Sequence, residues 1–286
     1  MKKLGTLLVA LASVLCLTFC QQSSNQSSAN RVRVGTIAGP ETELMEVAKN
    51  VAARKYDLDI EIIQFTDYVL PNQALADGSI DANMFQHLPY LEQTIAAKGY
   101  KLTSIGKTFI YPMGIYSNKL AHISEVKSGA IVAIPNDPSN EARALLLLEK
   151  AGLIKLRSGS NLKATPRDIV ENTKQLQIKE LDAAQLPRVL KDVDLAAINT
   201  NYAMSIGLLP SRNAIFVEPY TSPYANIVVV RTADQYNPKF AKLMDALHSP
   251  EVVSKAKKLF QGQAIPAWDV DIKAPIEKGK ESAAKK

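Results

Sequence analysis

The order strand, helix, strand at the head of the chain constrains its fold more than any other feature. "RVRVGTI" (Arg31–Ile37) alternates polar and β-branched residues, the period-two pattern of a strand. A Gly-Pro turn, "AGPE", follows. Residues 42–56 then place Leu44, Val47, Ala48 and Val51 at helical spacing. "LDIEIIQF" (residues 58–65) is a second strand. Such a unit points to a parallel sheet with helices covering its faces, so the fold class is α/β.

The alternation continues. Residues 68–78 read as a short helix closed by Gly78, 79–85 as a strand, and 86–99 as a helix with Pro89 in its first turn. "KLTSIGKTFIYPMGIYS" (residues 101–117) is one long extended run, read as a first crossing between lobes. A second βα series begins with "AIVAIP" (130–135) and a helix from Pro138, and passes through 174–181, 186–192 and "VDLAAIN" (193–199). The apolar "YANIVVVR" (224–231) reads as the return crossing, and helices at 238–249 and 250–260 end the fold. A chain of 286 residues favours two domains over one. The expected architecture is therefore two α/β lobes: lobe 1 from 31–115 and 225–270, lobe 2 from 116–224, and a flexible tail at 271–286. Two lobes on two connectors close like a hinge around a ligand held between them.

The first residues read as an export signal at 1–19: Lys2 and Lys3, then the apolar "LGTLLVALASVLCLTF". Cys20 follows, and then a polar tether to residue 30, "QQSSNQSSAN". This arrangement resembles a lipoprotein signal, with Cys20 as the lipidated residue; the alternatives are an ordinary cleaved signal or an uncleaved anchor. Phe19 departs from the small residue usual before that cysteine. Of the two cysteines, Cys16 lies inside the signal, so the mature chain forms no internal disulfide. No later segment approaches the roughly 18 uncharged residues that cross a bilayer. The formal charge of +6 is not concentrated on one face, which argues against nucleic acid.

Catalytic and metal motifs are missing. The three histidines, His87, His122 and His248, are far apart, with no H-x-x-x-H pair and no cysteine partner. The chain has no G-x-S-x-G and no Walker loop. No cofactor is expected, and the chain reads as a binding protein rather than an enzyme.

Binding residues can be picked out instead. In "NDPSNEARALLLLEK", Asp137 is a good N-cap and Pro138 suits the first helical position. Asn140 and Arg143 then share a helix face. A cation this close to a helix start is disfavoured by the partial positive charge there. It becomes favourable once an anion arrives, because the helix N–H groups, the Asn140 amide and the Arg143 fork would converge on one carboxylate. The alternative is an arginine paired with Glu149 or solvated. "AINTNYA" places Asn199, Thr200 and Asn201 at a strand end, and Asn226 starts another strand. These amides suit the ends of a zwitterion, or serve as turn formers and caps. In the first lobe Phe65, Tyr68, Phe85, His87, Tyr90 and Tyr111 fall near strand ends, where ligands bind in open α/β sheets. They form either core packing or an aromatic pocket suited to a thioether.

Five stretches, "FTDYVLPNQAL", "IDANMFQHLPYL", "YPMGIYS", "IPNDPSNEARALLLLEKAGLI" and "SPYANIVVVR", resemble in this order the NlpA-type methionine-binding lipoproteins, the substrate-binding components of methionine ABC importers. The resemblance covers roughly residues 31–269. It implies a two-lobed periplasmic-binding-protein-like fold with a hinge. It further implies that Arg143, helped by Asn140, Asn201 and Asn226, holds the amino-acid head group, and that Tyr68, Phe85, His87 and Tyr90, with Tyr111 nearby, form the side-chain pocket. The function expected is capture of L-methionine by a lipid-anchored monomer at the cell envelope, on the periplasmic or exterior side, and delivery to a membrane-embedded ABC permease with its ATPase. The alternatives are a methionine dipeptide, D-methionine or another apolar amino acid as ligand, and, in a different class, a surface adhesin.

Overall fold

The structure is a computed structural model that describes residues 30–219 and 223–268. The expected signal, Cys20 and the tail at 271–286 lie outside the described residues. Strand β1 (Arg31–Ile37) leads through Gly39 into α1 (Pro40–Tyr56), and β2 (Asp59–Phe65) returns parallel to β1, with Arg31 opposite Asp59 and Ile37 opposite Phe65. Gly39 has φ +127°, a conformation that side chains rarely allow, and it aims the chain so that Pro40 opens the helix. Glu41 and Glu43 occupy the first turn of α1, and Arg54 and Lys55 the last, the sense the helix dipole favours. Leu44, Met45, Ala48 and Val51 form its buried face.

Next come α2 (Leu70–Ala76), β3 (Ala82–His87), α3 (Leu88–Lys98) and β4 (Leu102–Ile110). Helix α3 begins two residues later than the sequence pattern suggests. Gln86 and His87 stay in β3, paired with Ile227 and Asn226, and the Gln86 amide is tied to Asn72 and Asn83 in a buried network. The expected single run at 101–117 is two strands in different sheets. It breaks at residues 111–113, where Pro112 has no N–H to give to a ladder. Beyond the break lie β5 (Gly114–Tyr116), β6 (Ile131–Pro135), α4 (Pro138–Lys150), β7 (Lys155–Leu156), β8 (Ile169–Glu171), β9 (Gln177–Leu181), α5 (Leu186–Val189), β10 (Leu195–Ile198), α6 (Thr200–Ser205), α7 (Pro210–Asn213) and β11 (Ala214–Val217). The chain then returns through β12 (Ala225–Arg231), α8 (Pro238–Leu247), α9 (Pro250–Leu259) and β13 (Ile265–Pro266).

The strands form a six-stranded sheet, β13-β4-β12-β3-β1-β2, and a five-stranded sheet, β11-β5-β10-β6-β9, with β7 and β8 a separate pair. Each large sheet is parallel over three strands at one end: β3, β1 and β2 in the first, β10, β6 and β9 in the second. Each also has antiparallel members where the chain crosses over. The first sheet packs Val32, Val34 and Val228 against Leu44 and Met45 of α1 and Phe240 and Leu243 of α8. The second packs Ile134 and Leu195 against Leu145 and Leu148 of α4. A third cluster joins the two: Ile37 and Phe85 from the first sheet meet Tyr116, Ala133, Ile198 and Tyr202. The two crossings are bonded to each other through Met113 of the first and Glu218 of the second. Met113 N–H donates to Glu218 Oε2 at 3.1 Å, and Glu218 N–H to the Met113 carbonyl at 2.9 Å. Among the described residues no helix is long and apolar enough to cross a membrane.

Candidate ligand-binding site

The carboxyl ends of β1, β3, β6 and β10 face one another, the position at which open α/β sheets bind ligands. At the end of β6, Asp137 caps α4. Its Oδ1 accepts from the Asn140 N–H at 3.0 Å, and its two oxygens accept from Asn140 Nδ2 at 2.9 and 3.0 Å. The Asn140 backbone N–H is therefore taken by the cap, which corrects the expectation that free helix N–H groups receive an anion here. The cap instead fixes the Asn140 amide so that Oδ1 points away from the helix. There it accepts from Asn199 Nδ2 at 2.8 Å and meets His87 Nε2 at 3.2 Å.

One turn along α4, Arg143 is 4% exposed. Its Nε lies 3.1 Å from both Glu218 oxygens, and its Nη2 donates to Glu218 Oε2 at 2.5 Å and to the Tyr111 carbonyl at 2.9 Å. The guanidinium carbon sits 4.4 Å from the centre of the Tyr224 ring. Both crossing segments thus hold this arginine, with Nη1 left over from these contacts. The alternative partner, Glu149, accepts instead from the Leu156 N–H at 2.7 Å. Glu218 answers the charge problem that Arg143 poses at a helix start: a buried carboxylate neutralises it.

The first sheet supplies the facing wall. His87 ends β3 and caps α3, its Nδ1 accepting from the Tyr90 N–H at 3.3 Å. That leaves Nε2 as the protonated nitrogen, facing Asn140 Oδ1. Burial first, and then the Arg143 charge, push the His87 pKa down to about 3, so the ring is neutral. Tyr68, Phe85 and Tyr90 form a triangle with ring centroids 5.8 to 6.0 Å apart. Hydroxyl contacts orient two of the rings: Tyr68 donates to Asn201 Oδ1 at 2.6 Å, and Tyr90 to the Tyr68 carbonyl at 2.8 Å. Tyr111 stacks on Phe260 at 4.7 Å. Asn226 Nδ2 donates to Glu41 Oε1 at 2.7 Å.

All nine residues that the family resemblance implies, Tyr68, Phe85, His87, Tyr90, Tyr111, Asn140, Arg143, Asn201 and Asn226, line one cavity, whereas Phe65 packs against the core. Asn201 reaches it from the first turn of α6 rather than from a strand end, because Asn199 stands at the N-cap of that helix. Three further residues, Glu41, Asn199 and Thr200, complete the wall. Four buried polar atoms of this wall have no hydrogen-bond partner among the described residues: Glu41 Oε2, Tyr111 Oη, Asn199 Oδ1 and Asn201 Nδ2. An unpaired buried polar atom costs ~1–3 kcal/mol, so four around one cavity mark a place built for a polar ligand. Two are acceptors, one is a donor and one is a hydroxyl, and the three-ring cage stands beside them. Among the described residues no group of three or more His, Cys, Asp or Glu could hold a metal ion.

Two residues of the site give little warning in the sequence. Glu41 reads there as part of a Gly-Pro turn, although an acid just inside a proline-started helix after a parallel strand mirrors the layout of α4. Glu218 lies in a connector and carries no pattern at all.

Two α/β sheets joined by paired crossings, with a polar and aromatic cavity where strand ends meet, form an architecture shared with solved substrate-binding proteins of ABC transporters. The profile of the NlpA lipoproteins matches residues 32–268, and the chain belongs to that family. A Vibrio cholerae protein named probable D-methionine-binding lipoprotein MetQ is 50% identical over 261 residues, 91% of this chain and 96% of its own. A periplasmic substrate-binding protein of an ABC transporter from Coxiella burnetii is 63% identical with a TM-score of 0.80, over 82% of this chain and 100% of its own. A Burkholderia cenocepacia nutrient-binding protein, solved bound to methionine, is 50% identical with a TM-score of 0.81, over 82% of this chain and 99% of its own.

Proposed function

We propose that this chain is a lipid-anchored receptor of the cell envelope that captures L-methionine and delivers it to a membrane-embedded ABC permease with its ATPase. The observation that carries the reading is the set of unpartnered acceptors and donors beside a three-ring cage in one cavity. That inventory matches a zwitterion with a polarizable apolar tail. The ligand carboxylate lies against Arg143, whose Nη1 remains for it, and Asn201 Nδ2. Asn140 and Asn226 hold the neighbouring groups in place, and Tyr68, Phe85, His87 and Tyr90 enclose the thioether. The two lobes close on the crossings, at residues 111–113 in the first and beside Glu218 in the second. Closure removes water from the Arg143–carboxylate pair and strengthens it. No covalent step is involved. Cys20 carries the lipid, and the receptor works as a monomer.

The naming of the Vibrio cholerae relative supports a second ligand, D-methionine. A thermal-shift panel of L-methionine, D-methionine, a methionine dipeptide and leucine tests both readings. The largest shift is expected with L-methionine. A panel in which neither enantiomer of methionine stabilises the protein would overturn the proposal.

A further inference from the structure

Glu41 is the cavity group least explained by a carboxylate pocket. It is 2% exposed, and its Oε1 is used by Asn226, while Oε2 has no partner among the described residues. Among the described residues no lysine or arginine forms an ion pair with it. The titratable groups facing it are three tyrosines: Tyr68 from the β2–α2 loop, Tyr111 from the first crossing and Tyr202 from α6. Asn226 of β12 presents only its amide. Across the cavity Arg143 is committed to Glu218, and His87 is neutral.

A carboxylate placed among tyrosine rings and amides without a cation is costly. Burial accordingly pushes the Glu41 pKa well above the usual carboxylate range, and the Asn226 bond offsets this only in part. An ammonium group is the natural complement of the spare Oε2, with Asn199 Oδ1 as a second acceptor in the same wall. An opposite charge within hydrogen-bond distance favours the ionised acid.

We propose that Glu41 is the receptor's ammonium site and that it enters the cleft as the neutral acid and ionises as the ligand's NH3+ docks, so that each amino acid captured expels one proton to solvent. This rests on the amino-acid receptor reading above. The proton leaves the Glu41 carboxyl, no bond of the ligand breaks, and the bound pair is carboxylate and ammonium. The site therefore selects for a free primary amine, and affinity rises with pH, by up to about tenfold per unit, wherever the unliganded acid holds its proton.

Calorimetry of L-methionine binding at pH 6, run in buffers of small and large ionisation enthalpy, counts the protons released. Net release of protons is expected for the unaltered protein, and none for Glu41→Gln, with affinity at least about tenfold weaker and flat with pH. A methionine analogue lacking the amino group should bind the unaltered protein weakly and gain no further loss from Glu41→Gln. Glu141, which burial and Glu180 push up to about 7, is the competing proton source on α4, so Glu141→Gln should leave the count unchanged. Normal one-to-one binding with heats independent of buffer overturns this inference alone. A proton count that survives in Glu41→Gln also overturns it, and failure of methionine to bind at all removes the receptor reading as well. The count on the unaltered protein stands even if Glu41→Gln fails to fold.

Discussion

Arg143 and Glu218 form the pair on which the site is built, and they are 75 residues apart in the chain. Removing one partner of a buried ion pair costs ~3–5 kcal/mol. Arg143→Gln should lower stability by that amount in urea denaturation, and Arg143→Gln combined with Glu218→Gln should recover most of it. His87 gives a pH signature. Its folded pKa is about 3, below the ~6.5 of an unfolded histidine, so in that window the unfolded chain binds the proton and the folded one does not. Stability attributable to His87 is therefore whole above pH ~6.5 and falls, by up to ~1.4 kcal/mol per unit, as pH drops toward 3. His87→Gln should flatten that fall when unfolding free energies at several pH values are compared. Glu141 has the opposite sign, losing its contribution as pH rises from ~4.5 toward about 7, but it is common to both proteins and cancels. The sequence exposed Asn140 and Arg143 because cap, proline and helical spacing lie within seven residues of one helix. It hid the roles of Glu41 and Glu218 because their partners are chosen by tertiary contact, across 185 residues for Glu41 and Asn226.

At the scale of elements, α4 does two jobs through one capping residue. Asp137 satisfies the first turn and also locks the amide of Asn140. Loss of an N-cap costs ~0.5–2 kcal/mol. Asp137→Ala should lose that much stability and, in addition, weaken ligand binding several-fold by direct titration, because Asn140 then swings free of His87 and Asn199. A purely structural cap would lower stability and leave affinity untouched. The βα pattern was readable because hydrophobic period and proline-started helices agree along most of the chain. It misled in two places. At residues 86–87, pairing with β12 overrides the helix-like pattern, and at 111–113 the chain changes sheets within an unbroken apolar run.

At the scale of the molecule, the third cluster joins the two sheets through Ile37, Phe85, Tyr116 and Tyr202, and the cavity lies beside it. A ligand seated there touches residues of both sheets and stabilises the folded chain. At a hundredfold excess over its dissociation constant, methionine should add ~2.7 kcal/mol to the unfolding free energy, read from the denaturant midpoint. The two-sheet architecture follows from the order of strands in the sequence, but the fact that all nine chosen side chains share one cavity does not. That convergence depends on how the crossings bring the β6 and β10 ends against β1 and β3.

The most direct test is titration calorimetry of L-methionine into the unaltered chain and into the Arg143→Gln, Glu218→Gln pair, which the account predicts to keep its fold. The account predicts one ligand per chain and a loss of ~2–5 kcal/mol of binding in the paired variant, the cost of withdrawing one side of a buried charge contact. Equal affinity in the two proteins, or no binding to the unaltered chain, would contradict it.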